Sequence, residues 1–156
     1  MPTHPPLLVK NAPDIACNAL QLMINTCHEN GVSGLVISNT TVSRPSGLRS
    51  PHADEPGGLS GRPLFALSTA VLARARLIAG DALTLIGVGG VGSGKDAFVK
   101  IQAGASLVQL YTAFAYEGPA LIPRLKRELA QALRENGFPD VRSAVGTDAE
   151  RLARLV

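Results

Sequence analysis

The sequence predicts an α/β fold built on a parallel sheet, and three observations carry that prediction. Short apolar runs bounded by glycine and turn residues alternate with longer segments of helical periodicity along the 156 residues. Aliphatic residues and alanine dominate, with 4% aromatics and no tryptophan, which suits packed strand–helix layers better than a sandwich. The run Leu83-Thr84-Leu85-Ile86 passes directly into Gly87-Val88-Gly89-Gly90-Val91-Gly92. Glycines at the end of a buried strand permit positive φ and let backbone approach a ligand.

Each element follows from local pattern. Leu7-Leu8-Val9 is a short strand closed by Lys10 and the turn-prone Asn11-Ala12-Pro13-Asp14. From Ile15 to Glu29 the apolar positions Ile15, Leu20, Met23, Ile24 and Cys27 share one helical face, with Asp14 as N-cap and Asn30-Gly31 as stop. Gly34-Leu35-Val36-Ile37 is the second strand and delivers Ser38-Asn39-Thr40-Thr41 at its end. Residues 42–62 carry prolines and glycines but no apolar period, the profile of an active-site or disordered loop. Leu64, Leu67, Val71, Leu72 and Ala75 mark a helix with Pro63 in its first turn. The Leu83–Ile86 strand, a helix over Lys95–Ala103 and the Leu107–Leu110 strand come next. A short helix over Ala113–Glu117, a longer one over Leu121–Arg134 ending at Asn136-Gly137, and a last one around Ala149–Leu155 complete the chain.

Four consecutive strand–helix units imply a parallel sheet with right-handed crossovers, and four are half of what closes a (β/α)8 barrel. The chain cannot close such a barrel alone, and residues 1–156 are expected to form one partial-barrel domain, which the resemblance given below makes the C-terminal half.

Composition excludes several classes. A net charge of +3 without a Lys/Arg run gives no nucleic-acid footprint. No stretch reaches the roughly 18 apolar residues of a membrane-spanning helix. The start, Met1-Pro2-Thr3-His4-Pro5-Pro6, has neither a signal-peptide core nor an amphipathic anchor, so a soluble or aggregated chain is expected. Cys17 and Cys27 form no C-x-x-C pair and His4, His28 and His52 are scattered, so no metal site is expected, and the thiols read as reduced and partly buried.

Several constellations can carry chemistry. Lys10 at a strand end can set a positive charge beside an anion or an electron-rich ring, or can simply reach solvent. Ser38-Asn39-Thr40-Thr41 offers amide and hydroxyl groups to a planar polar ligand, though such residues also favour turns. Gly57-Gly58-Leu59-Ser60-Gly61 precedes a helix and can present N–H groups to an anion. Gly87-x-Gly89-x-x-Gly92 matches the dinucleotide fingerprint formally, but the acidic residue expected about 20 positions on is missing: the next strand ends in Gln109, Leu110, Tyr111 and Thr112. In barrels, phosphate sites are frequently built after the last two strands with help from a short helix. Gly90, Tyr111 and Thr112 are therefore expected to hold a mononucleotide phosphate. No residue stands out as a general base.

Taken together, Leu7-Leu8-Val9-Lys10-x-Ala12-Pro13-Asp14, Ser38-Asn39-Thr40-Thr41-Val42-Ser43-Arg44-Pro45, Gly57-Gly58-Leu59-Ser60-Gly61-Arg62-Pro63-Leu64, Ile86-Gly87-Val88-Gly89-Gly90-Val91 and Gly104–Ala113 closely resemble the C-terminal half of dihydroorotate dehydrogenase of the quinone-linked, membrane-associated class. The resemblance implies an FMN-containing (β/α)8 barrel that oxidises dihydroorotate to orotate in pyrimidine biosynthesis and passes electrons to a quinone. The family is peripheral to the bacterial cytoplasmic or mitochondrial inner membrane. Carried over by match, Lys10 would contact the flavin ring and favour its reduced anion. Ser38 would also touch the flavin, at a position where the family often has threonine. Gly61, Gly90, Tyr111 and Thr112 would bind FMN, the last three at its phosphate. Asn39 and Thr40 would bind the pyrimidine.

The resemblance also implies what is missing. The family's catalytic serine base belongs to the other half of the barrel, as do several asparagines and the helical region that meets membrane and quinone. No catalytic residue is therefore assigned in this chain, which by itself is expected to turn over negligibly. Asn11 replaces the family's usual isoleucine. Two outcomes compete: half of a dehydrogenase that acts when completed by the missing half, or a non-catalytic FMN- or phosphate-binding half barrel that pairs with a second copy through its open edges. A different phosphate-binding barrel enzyme is a weaker third reading.

Overall fold

The computed structural model describes residues 4–156, so part of the Met1–Pro6 segment lies outside the described residues. Four strands pair in the order β1-β2-β3-β4, all parallel: β1 (Leu8–Asn11), β2 (Gly34–Ile37), β3 (Thr84–Gly87) and β4 (Leu107–Val108). Between them run α1 (Cys17–Glu29), α2 (Phe65–Ala79) and α3 (Gly94–Gln102). After β4 come α4 (Thr112–Glu117), α5 (Leu121–Glu135), α6 (Val141–Ala144) and α7 (Ala149–Leu152). The parallel α/β order expected from the alternating runs is the order observed, and α6 is an addition to it.

The pleat sorts strand residues onto two faces. Leu35, Ile37 and Leu85 are buried against Leu20 and Ile24 of α1 and Val71 and Leu72 of α2, with Leu152 of α7 in the same cluster. Each such side chain, removed from water, contributes about 1.5–3 kcal/mol. The parallel register places Lys10, Val36, Ile86 and Leu107 side by side in a row on the other face. Two outer strands remain unpaired on one edge, where Leu8 and Leu107 are exposed.

Several local expectations need correction. Lys10 lies inside β1, which continues to Asn11 because Asn11 pairs with Ile37 and its carbonyl accepts the N–H of Asn39 at 2.8 Å. Asp14 does not cap α1. That helix starts at Cys17 with Ala16 as a cap lacking any side-chain bond, because the Asp14 carboxylate is engaged across the chain by Thr41 and Ser43. Cys17 is exposed and only Cys27 is buried. β4 stops at Val108, two residues short of the apolar run, although Gln109 still donates to the carbonyl of Gly87 at 2.8 Å.

The segment between β2 and α2 is long but not structureless. Thr41 and Leu59 exchange backbone hydrogen bonds of 3.1 and 2.8 Å, closing it into a loop with a pinned neck. Inside it the Arg44 guanidinium donates to the carbonyls of Val42, Ser43, Ala53, Glu55 and Gly57, a fork that a lysine could not reproduce. A single 3-10 turn at Arg62–Leu64, holding Pro63, then leads into α2.

Candidate functional site

A cavity of about 430 Å³ opens at the C-terminal ends of the strands, within the size range of small-ligand pockets. Lys10, Ser38, Asn39, Thr40, Gly61, Gly90, Tyr111 and Thr112 all line it. They come from all four strand ends, from the neck of the long loop and from the start of α4. The four strands are separated by helices in sequence, and parallel pairing is what brings their C-terminal ends to one side of the sheet.

Glycine makes two of the close approaches possible. Gly90 has φ +75° and lies so tightly on Phe65 that a β-carbon would sit 2.6 Å from Phe65 Cβ and 2.9 Å from its backbone N. At Gly61, φ is +76°, and a β-carbon would meet the Thr112 methyl at 3.2 Å. The long loop and α4 therefore touch, and Thr112 Oγ1 donates to Ser60 Oγ at 3.1 Å.

The donor set at one end of the cavity suits an anion. The N–H groups of Gly90 and Thr112 have no protein acceptor among the described residues. Gly92 and Gly94 differ. The Gly92 N–H is taken by Asp96 Oδ2 at 3.0 Å and the Gly94 N–H by Glu128 Oε2 at 2.7 Å. Two carboxylates thus occupy the start of α3, where a dinucleotide fold would seat its pyrophosphate. Glu128 is itself held by Arg124, which also pairs with Glu117 at the cavity rim.

At the other end the groups are polar and neutral apart from Lys10. Ser38 is buried; its hydroxyl donates to the Asn39 carbonyl at 2.9 Å and its N–H to Val88 O at 3.3 Å. The peptide bond between Ile37 and Ser38 is cis. Thr40 packs against the backbone of Gly58, where a β-carbon would lie 2.0 Å from its hydroxyl oxygen. Behind this end, Asp14 accepts from Thr41 Oγ1 at 2.5 Å, Ser43 Oγ at 2.8 Å and Val42 N–H at 3.2 Å. Burial pushes the Asp14 carboxyl up, and these hydrogen bonds outweigh it and hold the group below the usual carboxylate value.

Sequence reasoning missed Arg44, the cross-chain role of Asp14, and Lys100. Lys100 is wholly buried under the glycine turn, with Nζ donating to Ser68 Oγ at 2.6 Å. The signal for it was faint: a lysine between Val99 and Ile101, on the apolar side of an otherwise amphipathic helix. Among the described residues no cluster of three or more His, Cys, Asp or Glu could hold a metal ion, and no helix is long and apolar enough to cross a membrane.

Residues 2–133 match the family model for dihydroorotate dehydrogenase. The chain belongs to the dihydroorotate dehydrogenase family. It is similar to the dihydroorotate dehydrogenase (quinone) of Azorhizobium caulinodans, 54% identical over 94% of this chain and 41% of that protein. It is likewise 55% identical to the mitochondrial dihydroorotate dehydrogenase (quinone) of Oryza sativa subsp. japonica, over 92% of this chain and 31% of the relative. A crystal structure of a ligand-free DHODH from Eimeria tenella superposes with a TM-score of 0.90 at 40% identity, covering 93% of this chain and 40% of that one. The chain thus spans about two fifths or less of the length of these dihydroorotate dehydrogenases. Its four units correspond to part of their barrel.

Proposed function

We propose that these residues form the flavin-phosphate and pyrimidine side of a quinone-linked dihydroorotate dehydrogenase site, acting as one domain over residues 1–156. The observation that carries the reading is the cavity at the strand ends, where two N–H groups without protein acceptors, at Gly90 and Thr112, stand at one end and Lys10, Ser38, Asn39 and Thr40 at the other. FMN, when bound, supplies the two-electron acceptor for oxidation of dihydroorotate to orotate, and a quinone, named in the relatives, is the onward acceptor.

The chain's own residues then have distinct tasks. Gly90, Tyr111 and Thr112 receive the phosphate through backbone N–H groups, and Gly61 lets the loop close beside them, where the Thr112 hydroxyl holds Ser60. Lys10, in line with Val36 and Ile86 on the inner face of the sheet, sets a positive charge beside the flavin ring. Ser38 adds a fixed hydroxyl to the same ring. Asn39 and Thr40 hydrogen-bond the pyrimidine, Asn39 held by the carbonyl of Asn11 and Thr40 by its contact with Gly58.

Oxidation of dihydroorotate also needs a base for the substrate proton, an effect typically worth about 10²- to 10⁴-fold. Glu117, the carboxylate on the cavity rim, is committed to Arg124. Turnover by this 156-residue polypeptide alone is therefore expected to be negligible even where FMN binds. The unpaired edges of β1 and β4 favour association, either with further strand–helix units or with a second copy.

Titrating the purified chain with FMN and following flavin fluorescence tests the reading, with size exclusion reporting its association state. Quenching that is lost on Gly90→Ala and is much weaker with riboflavin at the same concentrations is the expected result. Failure to bind FMN would overturn it, and orotate formation by this polypeptide alone would overturn the assignment of the base elsewhere.

A further inference from the structure

Beneath the Gly87–Gly92 turn lies a buried polar chain that the proposed site does not use. Lys100 has no exposed surface, and its Nζ donates to Ser68 Oγ at 2.6 Å and stands 4.9 Å from the centre of the Phe65 ring. The Ser68 hydroxyl lies 3.2 Å from the carbonyls of both Gly89 and Phe65, and its one hydrogen is shared between them. Phe65 is also the residue whose backbone Gly90 rests on. Lys100 is therefore connected to two glycines of the turn, to Gly89 through Ser68 and to Gly90 through Phe65.

A buried ammonium with one neutral hydroxyl as its hydrogen-bond partner is costly, and such groups are rarely retained without a charge to offset them. Asp96, one helical turn earlier, supplies part of that offset but is engaged with the Gly92 N–H. The other charged groups on elements packed against α3 are turned elsewhere. On α2, Arg74 donates to the carbonyls of Ala153 and Val156 and Arg76 pairs with Asp81. On α5, Arg124 pairs with Glu128, and the remaining charges of α5, α6 and Lys95 of α3 are exposed. β3 and β4 carry none.

We propose that Lys100 is a positioning residue for a phosphate held at Gly90: it fixes the Gly89–Gly90 turn through Ser68 and places a positive charge behind the wall that receives the anion. The proposal rests on the flavin-phosphate reading above. Burial pushes the Lys100 ammonium down to about 7, against a smaller opposing pull from Asp96. An anion arriving at Gly90 favours the charged form and raises that value. Binding therefore takes up a proton near neutrality. Affinity is highest below the free-state value and falls as pH rises through it towards the higher value of the bound state.

The test is FMN affinity of the whole chain between pH 7 and 9, above the second phosphate ionisation at about pH 6, with riboflavin as the ligand lacking the phosphate. The expected result is an FMN Kd that weakens about two- to fivefold over that range, as a half- to one-unit rise in the lysine's value from about 7 gives. Calorimetry in buffers of different ionisation heat should show proton uptake, and riboflavin should show no such slope. Lys100→Met should bind FMN more weakly at pH 7 with a flat profile. If that variant does not fold, Ser68→Ala, which cuts the link to Gly89 but keeps the ammonium, should weaken FMN more than riboflavin. A wild-type profile that is flat, or a slope that survives in Lys100→Met or is shared by riboflavin, overturns the role of Lys100 while leaving the flavin reading intact. A chain that takes no FMN at any pH overturns the flavin reading itself.

Discussion

Asp96 Oδ2 accepts the backbone N–H of Gly92 at 3.0 Å, so the last glycine of the Gly87–Gly92 stretch gives its donor to the protein. The Ser93 hydroxyl reciprocates by accepting the Asp96 N–H at 3.1 Å. This exchange closes the start of α3 to a pyrophosphate and confines anion binding to the turn before it. Asp96→Ala leaves the Ser93 cap in place and removes the return bond to Gly92, which should cost about 0.5–1.5 kcal/mol, the range for one lost hydrogen bond. Urea denaturation checks this; an unchanged midpoint would show the exchange to be incidental.

Gly90→Ala should be far more damaging than an ordinary glycine replacement. The site combines φ +75° with a contact under 3 Å to Phe65 backbone atoms, which cannot move aside. A loss of about 2–4 kcal/mol is expected from strain and overpacking together. Gly137→Ala is the control: its φ is the same, +75°, but a β-carbon there meets open space, so only about 1 kcal/mol of conformational strain applies. Comparable thermal shifts in the two variants would contradict the packing argument.

Asn11 is 9% exposed, and its Oδ1 has no hydrogen-bond partner, while Nδ2 donates to the adjacent Ala12 carbonyl. A buried unsatisfied carbonyl costs about 1–3 kcal/mol. Asn11→Ile should therefore raise stability by about 1 kcal/mol or more, and a guanidinium melt shifted downwards would refute it.

The three hydrogen bonds to Asp14 tie residues 41–43, next to Asn39 and Thr40, to the start of the chain. Asp14→Asn cannot accept all of them at once, so the loop should open more often and trypsin should cut after Arg49 several-fold faster. Because its folded-state value lies below the ordinary one, the anchor is in place above about pH 4 and is lost as pH falls through the folded value. The wild-type loop should accordingly become more accessible on acidification, by hydrogen exchange, and Asp14→Asn should not show that step.

Much of this site was legible in the sequence because its carriers are local. Strand ends followed by small polar residues or glycines mark a ligand-facing edge whatever the surrounding fold, and Ser38–Thr40, Gly90 and Tyr111-Thr112 all sit at such ends. Arg44 and Asp14 were not legible, since their partners lie in chain segments that meet only after the loop closes. Asp14 reads locally as a helix cap, and the long-range hydroxyls of Thr41 and Ser43 win it.

The alternation of apolar runs with 3.6-period segments by itself determined the parallel α/β order, because period and run length dictate which backbone can bury each segment. Tertiary structure alone decided which donors remain free for an anion. Whether a backbone N–H at Gly90, Gly92 or Gly94 faces a ligand depends on carboxylates from α3 and α5, and on Lys100 reaching Ser68 across 32 positions of chain. Hydrogen-bond competition of that kind is settled by distance in space, which residue order does not encode.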